Sequence, residues 1–341
     1  MEIEIRNTIK DIEEREWNTL AGTDFTESSY RWYKTVEESG MVELYYVFLK
    51  ENNRLTAAAC CFPYTHRMVS FPLELSFLQV RAPLGTSSAF FSPTPYHTDL
   101  LLEGLHQIQK RERIKRISIL GLRQEEFTFL ENSMKGFASL PPFEDTYMDL
   151  NFTDFDDYLS SLNASARRSI RKTLNRAERR WDIKSIVTSD FSTWKEVTHM
   201  LQKYICQEHR DFRMHLTEQF YDALERNLKD NAELMLLFKD DTPIVFGLSI
   251  NSPTISQHKA VGVDPSYREY QGYFLLYYES IRRAIEQNQK RIYFGLTTYT
   301  FKEKIGCKRE GLYGFAKLDN PLLDFTLKSY MRISERVRKK G

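Results

Sequence analysis

"ISQHKAVGVDPSYREYQGYFLLYYESIRRAIEQNQKRIYFGL", residues 255–296, reads as a strand, a Gly-containing loop, a long amphipathic helix and a second strand. Working outward, "AELMLLFKDDTPIVFGLSIN" (232–251) predicts two strands around an Asp-Asp-Thr-Pro turn, and "TEQFYDALERNLKDN" before it predicts a helix. Downstream, "YTFKEKIG" reads as a short helix and "LYGFAKLD" as a last strand. The resulting order, β-β-β-α-β-α-β, is that of a mixed α/β unit.

The first half follows the same scheme. "EREWNTL" and "ESSYRWYKTVEES" predict helices, "VELYYVFLKENNRLTAAACCFPY" two strands about a polar turn, "TDLLLEGLHQIQKRERIK" a helix and "RISILGL" a buried strand. "FLKENNRLTAAA" (48–59) and "LFKDDTPIVFGL" (237–248) share a loose strand, Lys, acidic or amide turn and strand pattern at the same place in each half, a hint of duplication. The two prolines of "LPPFEDTYMDLNF" mark the expected border. Domains are therefore expected over residues 1–150 and 151–330, followed by a basic tail at 331–341.

A chain of 341 residues is long enough for two such units, and 41% hydrophobic with 13% aromatic residues makes it globular. Lys and Arg total 48 against 47 Asp and Glu, which argues against a nucleic-acid binder relying on net charge. The opening "MEIEIRNTIKDIEEREW" lacks the features of a signal peptide, and no window has the apolar length of a membrane span. Cys60, Cys61, Cys206 and Cys307 show no CxxC spacing, so a reducing, cytoplasmic location is expected. Cys206, His209 and His215 lack a fourth ligand in register, and no metal is expected.

Positive charge is concentrated in "SARRSIRKTLNRAERRWDIK", residues 165–184, with eight Arg or Lys against two acids. As a helix it places Ile170, Leu174, Ala177 and Trp181 on one apolar stripe and the basic residues on the other faces. Arg168, Lys172 and Arg176 stand at successive i, i+4 positions, where like charges cost roughly 0.2–0.5 kcal/mol each unless an anion lies beside them. A solvated face and a phosphate-binding face both remain open on these residues alone.

The second-half order resembles the core of the GNAT acyltransferase superfamily, and its details resemble the double-domain FemAB-like and BioF2-like branch. The likeness rests on the basic helix before the second domain, on "HKAVGVDPSYREYQGYFLLYYESIRRA" (258–284), on "YFGLTTYTFKEKIGCKREGLYGFAK" (293–317) and on the opening helix pair "EWNTLAGTDFTESSYRWYK". It implies an α/β (α+β) fold of two tandem GNAT-like domains, each a mixed, mostly antiparallel sheet flanked by helices. It also implies an N-acetyltransferase-like enzyme that moves an acyl or aminoacyl group to an amine, the acceptor being a small molecule or cell-wall precursor.

The usual GNAT acyl-CoA signature holds pyrophosphate on backbone N–H groups at a helix N-terminus. Here Arg268 to Tyr273 reads "REYQGY", with Gly272 displaced by one place and Tyr273 where a small residue belongs. Acyl-CoA and aminoacyl-tRNA therefore both stand as expected donors. The resemblance assigns phosphate or donor binding to Arg167, Arg168, Arg171, Lys172, Arg268, Gly272 and Lys304, with the backbone at Val261 and Val263. It makes Tyr299 the proton donor, His258 beside Lys259 a proton acceptor with an ordinary pKa of about 6.5, and Lys302 an oxyanion or phosphate partner. The alternative is a transferase-like fold that binds tRNA or another polyanion without catalysis.

Overall fold

The computed structural model describes residues 1–67, 74–212 and 215–318; the basic tail at 331–341 lies outside them. The first half contains β1 (Glu2–Arg6), α1 (Glu14–Ala21), α2 (Tyr30–Ser39), β2 (Tyr45–Glu51), β3 (Arg54–Arg67), β4 (Glu74–Val80), β5 (Phe90–Phe91), α3 (Pro95–Glu112), β6 (Ile117–Leu122), α4 (Gln124–Glu131) and β7 (Ala138–Asp149). Two helices follow, α5 (Phe155–Ser161) and α6 (Ala164–Arg176), the second continued by a π-helical turn to Trp181. The second half contains β8 (Ile183–Thr188), α7 (Phe191–His209), α8 (Glu218–Leu228), β9 (Ala232–Lys239), β10 (Thr242–Asn251), β11 (Ile255–Val263), α9 (Gly272–Glu286), β12 (Arg291–Gly295), α10 (Tyr299–Lys304) and β13 (Lys308–Lys317).

The thirteen strands among the described residues join one mixed sheet, ordered β1-β2-β3-β4-β6-β13-β7-β12-β11-β10-β9-β8, with β5 beside β3. Read from either edge, this order repeats itself: four strands joined antiparallel, a parallel neighbour (β6 or β12), then a strand contributed by the other half. The β2–β3 and β9–β10 hairpins occupy equivalent places, as the 48–59 and 237–248 patterns hint. Asn52 and Asn53 supply the positive φ that the first tight turn requires.

The exchange of β7 and β13 could not be read from the sequence. β13 pairs with β6 on one side and β7 on the other, while β7 pairs with β12. Pro141 and Pro142 are not in a linker; they lie inside β7, where the register jumps from Phe143↔Leu312 to Leu140↔Gly314. Residues without an N–H fit at such a skip in the ladder. Helix α7 and strand β8 are further elements that the sequence reading did not identify.

Helices α1, α2, α7 and α8 share one core, with Trp32 set edge-on to Phe220. Other cores lie beneath α3 and α4 and beneath α5, α6 and α9. Burying each such large side chain contributes roughly 1.5–3 kcal/mol, which fixes the two halves against each other. No helix among the described residues is long and apolar enough to cross a membrane.

Candidate active site at the open end of β12

Each half contains one short parallel ladder. β4 meets β6 over Leu78–Val80 and Ile117–Ile119, and β11 meets β12 over Ile255–Gln257 and Arg291–Tyr293. Beyond these three pairs the strands part, and in both halves a glycine with φ 79° follows, Gly121 or Gly295. The two openings then differ. A Cβ on Gly121 would lie 2.2 Å from the Thr86 carbonyl oxygen, because the chain after β4 folds into the gap. A Cβ on Gly295 would have nothing within 4 Å.

Buried charge collects beside the second opening. Lys302 is fully buried on α10 and donates to the Phe294 and Gly295 carbonyls at 2.6 and 2.9 Å. Burial lowers its pKa to about 8, partly offset by the Asp145 charge. Asp145 on β7 is also buried; burial and then the Glu27 charge raise its pKa to about 6, against the pull of the Thr146 N–H, Lys259 and Lys302. Thr146 Oγ1 donates to the Gly295 carbonyl at 2.6 Å, so β7 and α10 fix the same glycine.

Glu27, in the turn between α1 and α2, joins this cluster to the first half. Burial opposes its ionisation, but the ion pair with Lys259 and hydrogen bonds from Lys259 and Ser87 hold its pKa at about 2. Its carboxylate accepts from Ser87 N at 2.6 Å and Thr86 N at 3.1 Å, while Thr86 Oγ1 also reaches Asp145 at 3.3 Å. The Lys259 ammonium also lies 5.2 Å from the Trp32 ring centre. Sequence reasoning missed Glu27 and Asp145; each stands in a mixed polar and aromatic segment, "FTESSY" or "FEDTYM", whose local pattern does not mark a buried acid.

The predicted residues do not form one site. His258 and Lys259 point to opposite faces, as the pleat of β11 demands. His258 lies against Ser280 Oγ (3.2 Å), Tyr277 and Phe294; burial and then the Lys302 charge lower its pKa to about 4. It is therefore neutral near pH 7, and it meets α9 rather than Asp145. Tyr299 donates its hydroxyl to the Glu144 carbonyl at 2.8 Å beneath the Arg309 guanidinium, and burial followed by the Glu144 charge raises its pKa.

A different hydroxyl chain stands near the opening: Tyr273 Oη lies 3.1 Å from Thr298 Oγ1 and 3.0 Å from Tyr277 Oη. The bulky residue in "REYQGY" thus bridges the first turn of α9 to the start of α10. Gly272 serves close packing, since a Cβ there would come within 2.4 Å of Val245. Arg268 is exposed and paired with Glu208. Val261 and Val263 pair with β10 on one side, where the ladder to β12 has already ended.

The basic residues of α6 face elsewhere. Arg167, Arg168, Arg171 and Lys172 line an open groove of about 660 Å³ with Arg176 and Arg180. Arg167 is tied to the Ser160 and Leu162 carbonyls and Arg171 lies 3.6 Å from Asp156. The opposite side of α6, with Ser169 and Thr173, lines a separate cavity of about 550 Å³ with Gln271, Phe274, Phe301 and Lys304. The guanidinium groups are therefore on the outer face, and Lys304 alone of the predicted cations borders the inner cavity.

Comparison with known proteins gives this geometry a family. No curated protein matches by sequence. Among solved structures, the crystal structure of FemX is similar over 96% of this chain and 100% of that chain, at 15% identity and a TM-score of 0.62. The C-terminal domain of a putative lysylphosphatidylglycerol synthetase from Agrobacterium fabrum covers 91% and 92%, at 12% identity and 0.58. A tandem GNAT protein from the clavulanic acid biosynthesis pathway covers 94% and 99%, at 10% identity and 0.57. At these identities the likeness establishes a tandem GNAT fold. The FemAB-like family, described as peptidoglycan biosynthesis/recognition, matches residues 89–336, and the chain belongs to that family.

Proposed function

We propose that the chain transfers an acyl or aminoacyl group to an amine acceptor at the opening between β11 and β12. The observation that carries this reading is the contrast at the two equivalent glycines: the gap at Gly121 is filled by the chain itself, and the gap at Gly295 is open beside buried charge. The donor, acyl-CoA or aminoacyl-tRNA, is assigned to the cavity between α6, α9 and α10, where Lys304 offers a cation to its phosphate. FemAB-like membership supports an acceptor of cell-wall-precursor type.

In the reaction, the amine nitrogen loses a proton and attacks the donor carbonyl carbon. The resulting oxyanion collapses as the bond to the leaving sulfur or ribose oxygen breaks, and the leaving atom takes up a proton. Asp145, ionised above about pH 6, is suited to accept the amine's proton. Lys302 holds the end of β12 in place through two carbonyls and sets positive charge behind the point of attack. We assign protonation of the leaving group to the Tyr273–Thr298 pair, whose hydroxyls lie 3.1 Å apart.

The test is turnover by purified full-length protein on a panel of acyl-CoAs and aminoacyl-tRNAs with amine acceptors. The expected result is transfer with at least one pair, reduced about 100-fold or more by Asp145→Asn, within the range of general acid–base contributions. Absence of transfer across the panel contradicts the reading. The polyanion-binding alternative is favoured by one observation, the outward basic face of α6. It predicts RNA affinity that falls steeply with salt, whatever the state of Asp145.

A further inference from the structure

The turn that closes the first opening also reaches the second. Thr86 stands after β4 in the segment that presses on Gly121, and its hydroxyl lies 3.2 Å from Glu27 Oε1 and 3.3 Å from Asp145 Oδ2. Its backbone N–H donates to the same Glu27 carboxylate at 3.1 Å, which fixes the residue in place. One threonine of the first half is thus set between two buried carboxylates, with a single hydroxyl hydrogen to give.

That hydrogen decides which protonation state of Asp145 is better satisfied. Asp145 Oδ1 accepts from Thr146 N at 2.8 Å, which leaves Oδ2 as the oxygen that carries a proton. With both acids ionised, the Thr86 hydroxyl can donate to Glu27 or to Asp145, but not to both. With Asp145 protonated, its O–H donates to Thr86 Oγ1 and the Thr86 O–H donates to Glu27, so both bonds are made. Glu27 does not take the proton itself: against the cost of burial, the Lys259 pair holds its pKa at about 2, while Asp145 stands at about 6. Lys259 on β11 and Lys302 on α10 pull the other way on Asp145, Tyr299 on α10 lies within reach of its charge, and Glu310 on β13 is its register partner.

We propose that Thr86 is a positioning residue whose hydroxyl, backed by Glu27, holds on Asp145 Oδ2 the proton taken from the amine. In that step an amine N–H bond breaks and an O–H bond forms at Oδ2. The new O–H donates to Thr86, which turns its own hydrogen to Glu27, and no proton goes further. The role in the reaction rests on the transfer reading above; the shared hydroxyl does not. The segment that fills one opening thereby tunes the base of the other.

The test is carbon-13 NMR of the full chain carrying labelled aspartate carboxyls, the Asp145 signal being the one that Asp145→Asn removes. Thr86→Val keeps the shape of the side chain and loses the hydroxyl, so the Asp145 titration midpoint should fall by about one pH unit, the worth of one hydrogen bond. Thr86→Ser should restore it. Glu27→Gln removes the charge that backs the hydroxyl and should lower the midpoint by about one to three pH units. Phe127→Leu, which loosens the scaffold without touching Thr86, should leave it in place. If Thr86→Val does not fold, Thr86→Ala replaces it with the same expected shift. A midpoint that is unchanged or that rises in the folded Thr86 variants overturns the proposal, a rise meaning that the hydroxyl serves the ionised carboxylate. Where turnover is measured, its acid limb should move with the midpoint, and a limb that stays fixed overturns the role in the reaction. A shifted midpoint in a protein that transfers nothing contradicts the transfer reading alone.

Discussion

The two halves of this molecule start from one plan and end with opposite interiors. In the first, Gly121 is pressed against the Thr86 backbone, and Phe127, the fourth residue of α4, stacks on Phe315 of β13 with ring centres 4.6 Å apart. In the second, Gly295 faces open space, and Lys302, the fourth residue of α10, turns its ammonium toward the end of β12. One copy has become scaffold and the other has kept a gap lined with charge. Strand exchange makes the pair interdependent, because Asp145, the acid beside the second gap, comes from the first half.

The largest expected difference comes from the two helix positions. Lys302→Met should lower kcat/KM by roughly 100- to 1000-fold, the range for losing an oxyanion-stabilising group, while the protein remains folded by circular dichroism. Phe127→Leu should leave kcat/KM within about twofold and instead lower stability by about 1 kcal/mol in urea unfolding. Equal activity losses in both variants would mean that the two helix positions do not differ in function.

The glycines sharpen it. Both sit at φ 79°, so alanine at either should cost about 1–2 kcal/mol from the left-handed backbone alone. At Gly121 the added methyl also meets a carbonyl oxygen, and about 1–3 kcal/mol more is expected in denaturant titration. Gly295→Ala should be the milder in stability and the more harmful to turnover.

A smaller effect is read in the pH profile. Asp145 must be ionised to take a proton, so kcat/KM should fall tenfold per unit below about pH 6. Lys302 must be protonated to carry charge, so the rate should fall again above about pH 8. Asp145→Asn should remove the acid limb and leave the alkaline one. His258, neutral above about pH 4, should add no limb near its ordinary value.

The sequence reveals this plan unevenly. Apolar periodicity exposes the hairpins, α9 and the β-β-β-α-β-α-β order, because local spacing records which face each element buries. It does not record which strands become neighbours, so the exchange of β7 and β13 stays hidden and Pro141–Pro142 reads as a border. Lys302 is legible through its family position, whereas Glu27 and Asp145 look like any surface acids until the fold buries them. The basic run on α6 illustrates the converse: its charge is obvious, but sequence cannot say that Ser169 and Thr173 face the inner cavity while the arginines face away.

The most direct measurement is a crystal structure of the full chain with a non-reactive donor analogue, a CoA thioether or an aminoacyl-adenosine amide, supplied at saturating concentration. Density for the analogue is expected between β11 and β12, with its carbonyl beside Gly295 and its phosphate toward Lys304, and none between β4 and β6. Density at Gly121, or none at Gly295 with either analogue, contradicts it.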